Sequence, residues 1–335
     1  MLRVPYDDLY AALCRGMQRL GLTDDRASEC ARLFAETTRD GVYTHGLNRF
    51  PRFVEAIANG SVEVNAEPTK TAGFGALERW DGHRGVGNLN ALACMNRAIA
   101  LAREHGIGGV ALANTNHWMR GGSYGWHAAE QGVFAICWTN TLANLPAWGA
   151  TTPTLGNNPL VVAVPRPGGH VVLDMAMSQF SYGTLAAYSK RGQPLPVDGG
   201  FDATGNLTKD AAAIEASQRA LPVGYWKGSG LSLVLDMLAA MLSGGLATHQ
   251  IPLEPARETG LSQIFLAVDP KSIAEPHELT RIVEGILDSL REATRADPAN
   301  PIRYPGEQTL QLREENLRLG VPVDPEIWQQ LTQPL

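Results

Sequence analysis

The chain has 335 residues, 44% of them hydrophobic and 19% charged, enough to bury a sizeable core in one large domain or two. A net charge of −6 leaves no basic footprint for sequence-independent nucleic-acid binding. The longest apolar stretch, Leu231–Leu242, is too short to span a membrane and contains Asp236.

The opening MLRVPYDDLY carries acids where a signal peptide would have its apolar core. Cys14, Cys30, Cys94 and Cys137 are widely spaced with no CxxC, so neither a disulfide framework nor a zinc site is expected. Together these features imply a cytoplasmic protein with buried, reduced thiols.

In chain order, Tyr6–Leu20 carries an apolar stripe of helical period. Thr23 reads as the N-cap of a second helix. Asp24 and Asp25 are favourable in its first turn, and Ala27, Cys30, Ala31 and Phe34 share one face. Gly46–Asn59 reads as a third helix, ended by Gly60. From about Thr71 glycine becomes frequent and β-rich runs appear: Gly109–Leu112, Val133–Trp138, Leu160–Val164, His170–Met175 and Ile264–Val268. Helices are expected over Asn88–His105, ended by Gly106, and over Arg120–Gln131. Leu231–Leu242 reads as a buried helix, Leu279–Arg295 as an amphipathic one, and Leu310–Leu319 as helical. The C-terminal helices are expected to return onto the first ones.

The segment Gly41–Arg52, GVYTHGLNRFPR, sets His45 before Arg49 and Arg52. On a helix, residues three and four apart are neighbours, so the two arginines would share a face beside a group that titrates near neutral pH. That combination suits reduction of a 2-keto acid, with a proton for the carbonyl oxygen and a clamp for the carboxylate. The plainer reading is a capping histidine with two solvated arginines.

No dinucleotide fingerprint is found. Gly82–Gly87, GHRGVG, has the wrong spacing, Gly106–Gly109 ends a helix, and Lys227 is followed by glycine where a Walker motif needs a hydroxyl. Other segments are rich in polar groups and glycine: Asn114–Gly125 (NTNHWMRGGSYG), Thr139-Asn140, Gly156–Pro159 and Gly224–Gly230 (GYWKGSG). Each suits a ligand loop, because glycine lets backbone approach while polar groups converge, and each equally suits a surface turn. The histidines are scattered, so no metal is expected.

GVYTHGLNRFPRF, NHWMRGGSYGW, CWTN, DMAMSQFSYG, LPVDGGFD, GNLTKD and GYWKGSG, in this order, resemble the malate/L-lactate dehydrogenase-like family of NAD(P)-dependent 2-keto acid reductases. The resemblance runs over essentially the whole chain. It implies an α/β (α+β), non-Rossmann fold, with a mixed, largely antiparallel sheet flanked by helices. A helical domain built from both chain ends (1–75 with 297–335) would stand beside an α/β cofactor and substrate domain (76–296). It also implies a homodimer with the active site near the subunit interface.

Carried onto this chain, the resemblance makes His45 the proton donor and sets Thr44, Arg49, Arg52, His117 and Arg120 on the substrate side. The cofactor would lie along His170, Val171, Val172, Leu173, Asp174, Met175 and Ala176. Trp226 and Lys227, and a late turn at Gly306, Glu307 and Gln308, would also touch it. NADH is the expected cofactor. NADP stays open, because Arg166 or His170 could accept a 2′-phosphate. The HWMRGG and WKGSG segments point to a subgroup acting on a six-carbon sugar acid. Sister activities on malate, lactate, ureidoglycolate, sulfolactate or cyclic imino acids remain open, as does a sugar-acid or nucleotide binding protein without turnover.

Overall fold

The computed structural model describes residues 2–333. Helices α1 (Tyr6–Arg19) and α2 (Asp24–Arg39) pack on each other, burying Leu9, Leu13 and Met17 against Ala27, Cys30, Ala31 and Phe34. Thr23 has the extended backbone of an N-cap, yet its hydroxyl makes no capping bond. Both chain ends meet here. Leu2–Val4 pairs antiparallel with Val321–Val323.

Helix α3 (Phe50–Ala58) leads to a sheet hairpin, β1 (Thr69–Phe74) and β2 (Leu77–Asp81). Helix α4 (Gly87–His105) follows and stops at Gly106, whose φ of +84° suits glycine. Next come β3 (Ile107–Asn116), α5 (Gly122–Glu130), β4 (Phe134–Thr139), β5 (Leu160–Val164) and β6 (Val171–Met175). Helices α6 (Tyr182–Arg191), α7 (Ala211–Ser217) and α8 (Trp226–Ser243) precede the long strand β7 (Thr259–Val268). Helices α9 (Pro276–Glu292), α10 (Glu307–Leu319) and α11 (Pro325–Thr332) complete the chain. As expected from the layout, α10 packs on α2 and α11 on α1.

The seven strands run in the order β1-β2-β3-β7-β4-β5-β6. Only β2 and β3 pair in parallel, so the sheet is mixed and largely antiparallel. Strand β3 extends beyond the expected run through Asn114-Thr115-Asn116, a polar stretch that reads as loop. Pairing with β7 buries Thr115 and Asn116 there. The Asn116 amide donates to the carbonyls of Arg84 and Gly85, which replaces the water it gives up.

Helix α8 departs from expectation. One face buries Ser232, Leu235, Asp236 and Ala239, but Leu233, Val234, Met237 and Met241 are exposed on the other side. A helix apolar all round belongs inside something, and within one chain only half of this one is covered. Asp236 is stabilised by accepting from the Asn140 amide at 2.9 Å and from the Thr248 N–H. No helix among the described residues is long and apolar enough to cross a membrane.

Candidate active site

The third helix is not continuous from Gly46. Tyr43–His45 and Leu47–Arg49 form two single 3-10 turns, and α3 begins only at Phe50, with a proline in its first turn. The break has a tertiary cause: the Leu47 N–H donates to Thr38 Oγ1 at 2.9 Å, pulling the chain back onto α2. Arg49 therefore stands at the N-cap of α3 and Arg52 in its first turn.

His45 is half-buried and its Nδ1 lies 3.0 Å from Thr44 Oγ1. Its ring stacks on His117, with centroids 5.9 Å apart and planes at 20°. His117 follows the end of β3, and its Nδ1 accepts the Met119 N–H at 3.0 Å. In the neutral ring the proton is therefore on Nε2. Met119 reaches back with φ +63°, a backbone rare outside glycine. Gly87, opening α4, lets this loop come close, because a Cβ there would stand 2.3 Å from the His117 carbonyl.

Burial, then the Arg49 and Arg120 charges, lower the His45 pKa to about 4. His117 is held well below its ordinary value by burial, then by Arg49 and His45. Both rings are thus neutral at pH 7 before substrate binds. Burial also lowers Arg49, to about 10, although Glu258 opposes the shift.

Two lobes of one cleft meet at His45. The first, about 430 Å³, is lined by Asp174, Ala176, Arg120, Gly121 and Tyr188. The second, about 350 Å³, is lined by Arg49, Arg52, Tyr182, Gln218 and Glu258. Thr44, His45, His117, Thr141, Asn157, Ser181 and Gly183 line both.

Of the substrate-side residues, Thr44, Arg49, Arg52 and His117 share the second lobe with His45. Arg120 faces the first instead, and its Nη1 is held by Asp40 Oδ2 at 2.8 Å. Asp40 caps α2 and is 3% exposed. Its carboxylate also accepts from Arg39 Nε at 2.9 Å and from both Nε and Nη2 of Arg313, on α10, at 2.9 and 2.8 Å. Burial would raise its pKa, but the Arg313 hydrogen bond and the Arg120 and Arg39 charges outweigh it, holding the carboxyl at about 2.

The cofactor-side residues divide. Asp174 and Ala176 line the first lobe. Asp174 is exposed as a residue along the cleft. Desolvation of its carboxyl raises its pKa, while the Arg120 charge and the Gly122 N–H, 2.8 Å away, pull it back. Val171, Val172, Leu173 and Met175 line neither lobe. His170 lies at the far end of β6, 5.9 Å from the Trp126 ring. Gly306 packs against that same end, where Val172 N–H donates to Pro305 O at 2.9 Å. Glu307 pairs with Arg291 at 3.6 Å and Gln308 accepts from Arg303 at 3.0 Å. Trp226, 66% exposed, and Lys227 open α8 and line neither lobe.

Asp40, Arg313 and Glu258 are absent from the sequence reading. No local pattern connects them to the site: apart from Arg39 beside Asp40, their charged partners come from distant segments. Among the described residues no group of acids, histidines and cysteines could hold a metal ion.

The first lobe suits a nicotinamide cofactor. Thr139, Thr141, Asn157 and Ser181 bring polar groups to its wall, and Arg120 Nε is buried without a partner among the described residues.

Comparison with known proteins agrees with this geometry. Residues 4–332 match the malate/L-lactate dehydrogenase family, and the chain belongs to it. It is an oxidoreductase, and dehydrogenases of this kind take a nicotinamide cofactor. The chain is 47% identical to the 2,3-diketo-L-gulonate reductase of Salmonella typhimurium, over 98% of both chains. Among solved structures, a putative malate/lactate dehydrogenase from E. coli superposes with a TM-score of 0.92 at 25% identity, covering 100% of this chain and 96% of that one. The delta1-piperideine-2-carboxylate reductase of Pseudomonas syringae superposes with a TM-score of 0.88 at 27% identity, covering 99% of each.

Proposed function

We propose that this enzyme reduces 2,3-diketo-L-gulonate to 3-keto-L-gulonate with NADH. The observation that carries the reading is the pair of lobes meeting at His45: a cofactor in one and a keto acid in the other would both reach the same imidazole. The choice of keto acid rests on the near full-length likeness to reductases of that name.

The cofactor, when bound, supplies the hydride. Asp174 and Ala176 would hold its reactive end, and the rest of the dinucleotide would leave the lobe along β6 toward Gly306–Gln308; Trp226 and Lys227, outside both lobes, are kept as contacts on the family likeness alone. Arg49 and Arg52 bind the substrate carboxylate, which fixes the carbonyl face presented. That carboxylate also offsets the arginine charges and raises the His45 pKa, so that His45 binds a proton and passes it to the forming alkoxide. The Thr44 hydroxyl orients the ring through Nδ1, and His117 holds its place by stacking. Initial rates of NADH consumption test the substrate. The highest kcat/KM is expected with 2,3-diketo-L-gulonate, ahead of pyruvate, oxaloacetate and a cyclic imino acid. A higher value with any of those would move the assignment to a sister activity.

NADH is favoured over NADPH because the cations beside β6 are already engaged. Arg166 is bidentate on Glu284, at 2.7 and 3.2 Å, and also donates to Gly169 O and Tyr304 Oη. His170 is kept neutral by burial, then by Arg313 and Arg166. Glu284→Gln would free Arg166 for a 2′-phosphate and raise NADPH use relative to NADH several-fold. An unchanged ratio of kcat/KM for the two cofactors would contradict this.

We also read the chain as a cytoplasmic homodimer of two-domain subunits, joined through the exposed side of α8. Val234, Met237 and Met241 form an apolar face of the kind that marks an interface. Met237→Glu should convert a dimer to a monomer in light scattering, and a monomeric wild type would exclude the reading.

A further inference from the structure

The second lobe holds two guanidiniums and one carboxylate among its described residues. Arg49 Nη2 lies 3.7 Å from Glu258 Oε2, and both side chains are largely buried, at 18% and 8% exposure. Arg52 lines the same lobe and donates from Nε to Pro255 O at 3.2 Å. His45 and His117 are neutral there at pH 7. Before substrate binds, the lobe thus carries a formal charge of +1, which matches a substrate with one carboxylate.

Glu258 is also under-used. Among the described residues its Oε1 accepts only the Leu142 N–H, at 3.3 Å, and its Oε2 has only the long contact to Arg49. An ionised carboxylate has about four acceptor sites, so most of those of Glu258 have no partner among the described residues. Neighbouring polar groups are better satisfied: Tyr182 Oη donates to Asn144 O at 2.8 Å, and Asn144 Oδ1 accepts the Asn157 N–H at 2.8 Å. A hydroxylated chain would give Glu258 the O–H donors it lacks, in charge-assisted bonds. A second substrate carboxylate would meet it as a like charge in a poorly solvated recess.

We propose that Glu258 determines specificity: it admits monocarboxylic acids with hydroxylated chains and rejects dicarboxylic ones. This rests on reading the second lobe as the substrate site, and it works by repelling the wrong ligand as well as binding the right one.

The test needs no turnover. Calorimetry would give Kd for L-gulonate, a hydroxylated monocarboxylate, and for L-malate, a dicarboxylate, on the wild-type enzyme and on Glu258→Gln. Wild type should bind L-gulonate more tightly. Glu258→Gln raises the lobe charge to +2 and should shift the ratio of the two constants toward L-malate by about tenfold or more, or about 1.4 kcal/mol per tenfold. Glu258→Asp keeps the charge and should keep the wild-type preference. Equal weakening of both ligands in Glu258→Gln would overturn the proposal, leaving Glu258 as a support for Arg49. So would tighter binding of L-malate by wild type, which decides the matter even if Glu258→Gln fails to fold. A ligand switch in an enzyme that does not reduce 2,3-diketo-L-gulonate would uphold the charge rule and fail only the assigned reaction.

Discussion

His45→Ala lowers kcat/KM for keto-acid reduction by about 10²–10⁴-fold, the range expected when a positioned general acid is lost. Nothing nearby replaces it. His117 stacks on the same ring, but its Nδ1 is taken by the Met119 N–H and burial holds its pKa well below ordinary. NADH binding should survive the change, since His45 only borders the first lobe. The pH profile carries the same signature. Before substrate binds, His45 has a pKa of about 4, so its acid form becomes rarer as pH rises. Reduction, which needs that form, should therefore fall from pH 5 to 8. The reverse oxidation needs the neutral ring as base and should stay level over the upper part of that range. A flat reduction profile from pH 6 to 9, with chemistry rate-limiting, would remove His45 from the role.

Asp40→Ala should cost about 3–5 kcal/mol of stability in denaturant unfolding, because it strands buried guanidiniums. The burden falls on Arg120, 5% exposed, which has no second carboxylate within hydrogen-bond reach among the described residues. Arg313 retains Glu130 at 3.8 Å, and Arg39 is less enclosed than Arg120. The double variant Asp40→Ala/Arg120→Met should recover much of the loss, since it removes the stranded charge. The sign with pH follows from the carboxyl, whose pKa drops from 3.8 to about 2 on folding. Its contribution is complete above pH 4 and is lost as pH falls toward 2. A loss below about 1 kcal/mol in Asp40→Ala would mean that the three arginines are adequately solvated without it.

Much of this architecture can be read in the chain itself. Helices α1, α2, α4 and α9 announce themselves by period, first-turn acids or a closing glycine, and β5 falls on the expected Leu160–Val164. Such signals are local, so one segment suffices to reveal them. What escapes is whatever a distant segment imposes. Thr38 breaks the helix expected from Gly46, and β7 draws Asn114–Asn116 into the sheet. The uncovered side of α8 escapes for a related reason: hydropathy reports that a helix wants cover, not what provides it. In the site, the THGLNRFPR segment marks His45 and its two arginines, but their setting is supplied from elsewhere. His117 stacks on the ring from the end of β3, Glu258 faces Arg49 from beside β7, and Arg313 reaches Asp40 from α10. No spacing rule links residues so far apart.

The most direct test is reduction of 2,3-diketo-L-gulonate by this enzyme with NADH deuterated at the nicotinamide C4, followed by NMR of the product. Direct transfer predicts deuterium at C2 of 3-keto-L-gulonate, from one face of the labelled cofactor, with the reaction all but abolished in His45→Ala. Deuterium at another carbon, or NADH consumed at full rate without His45, would contradict the account.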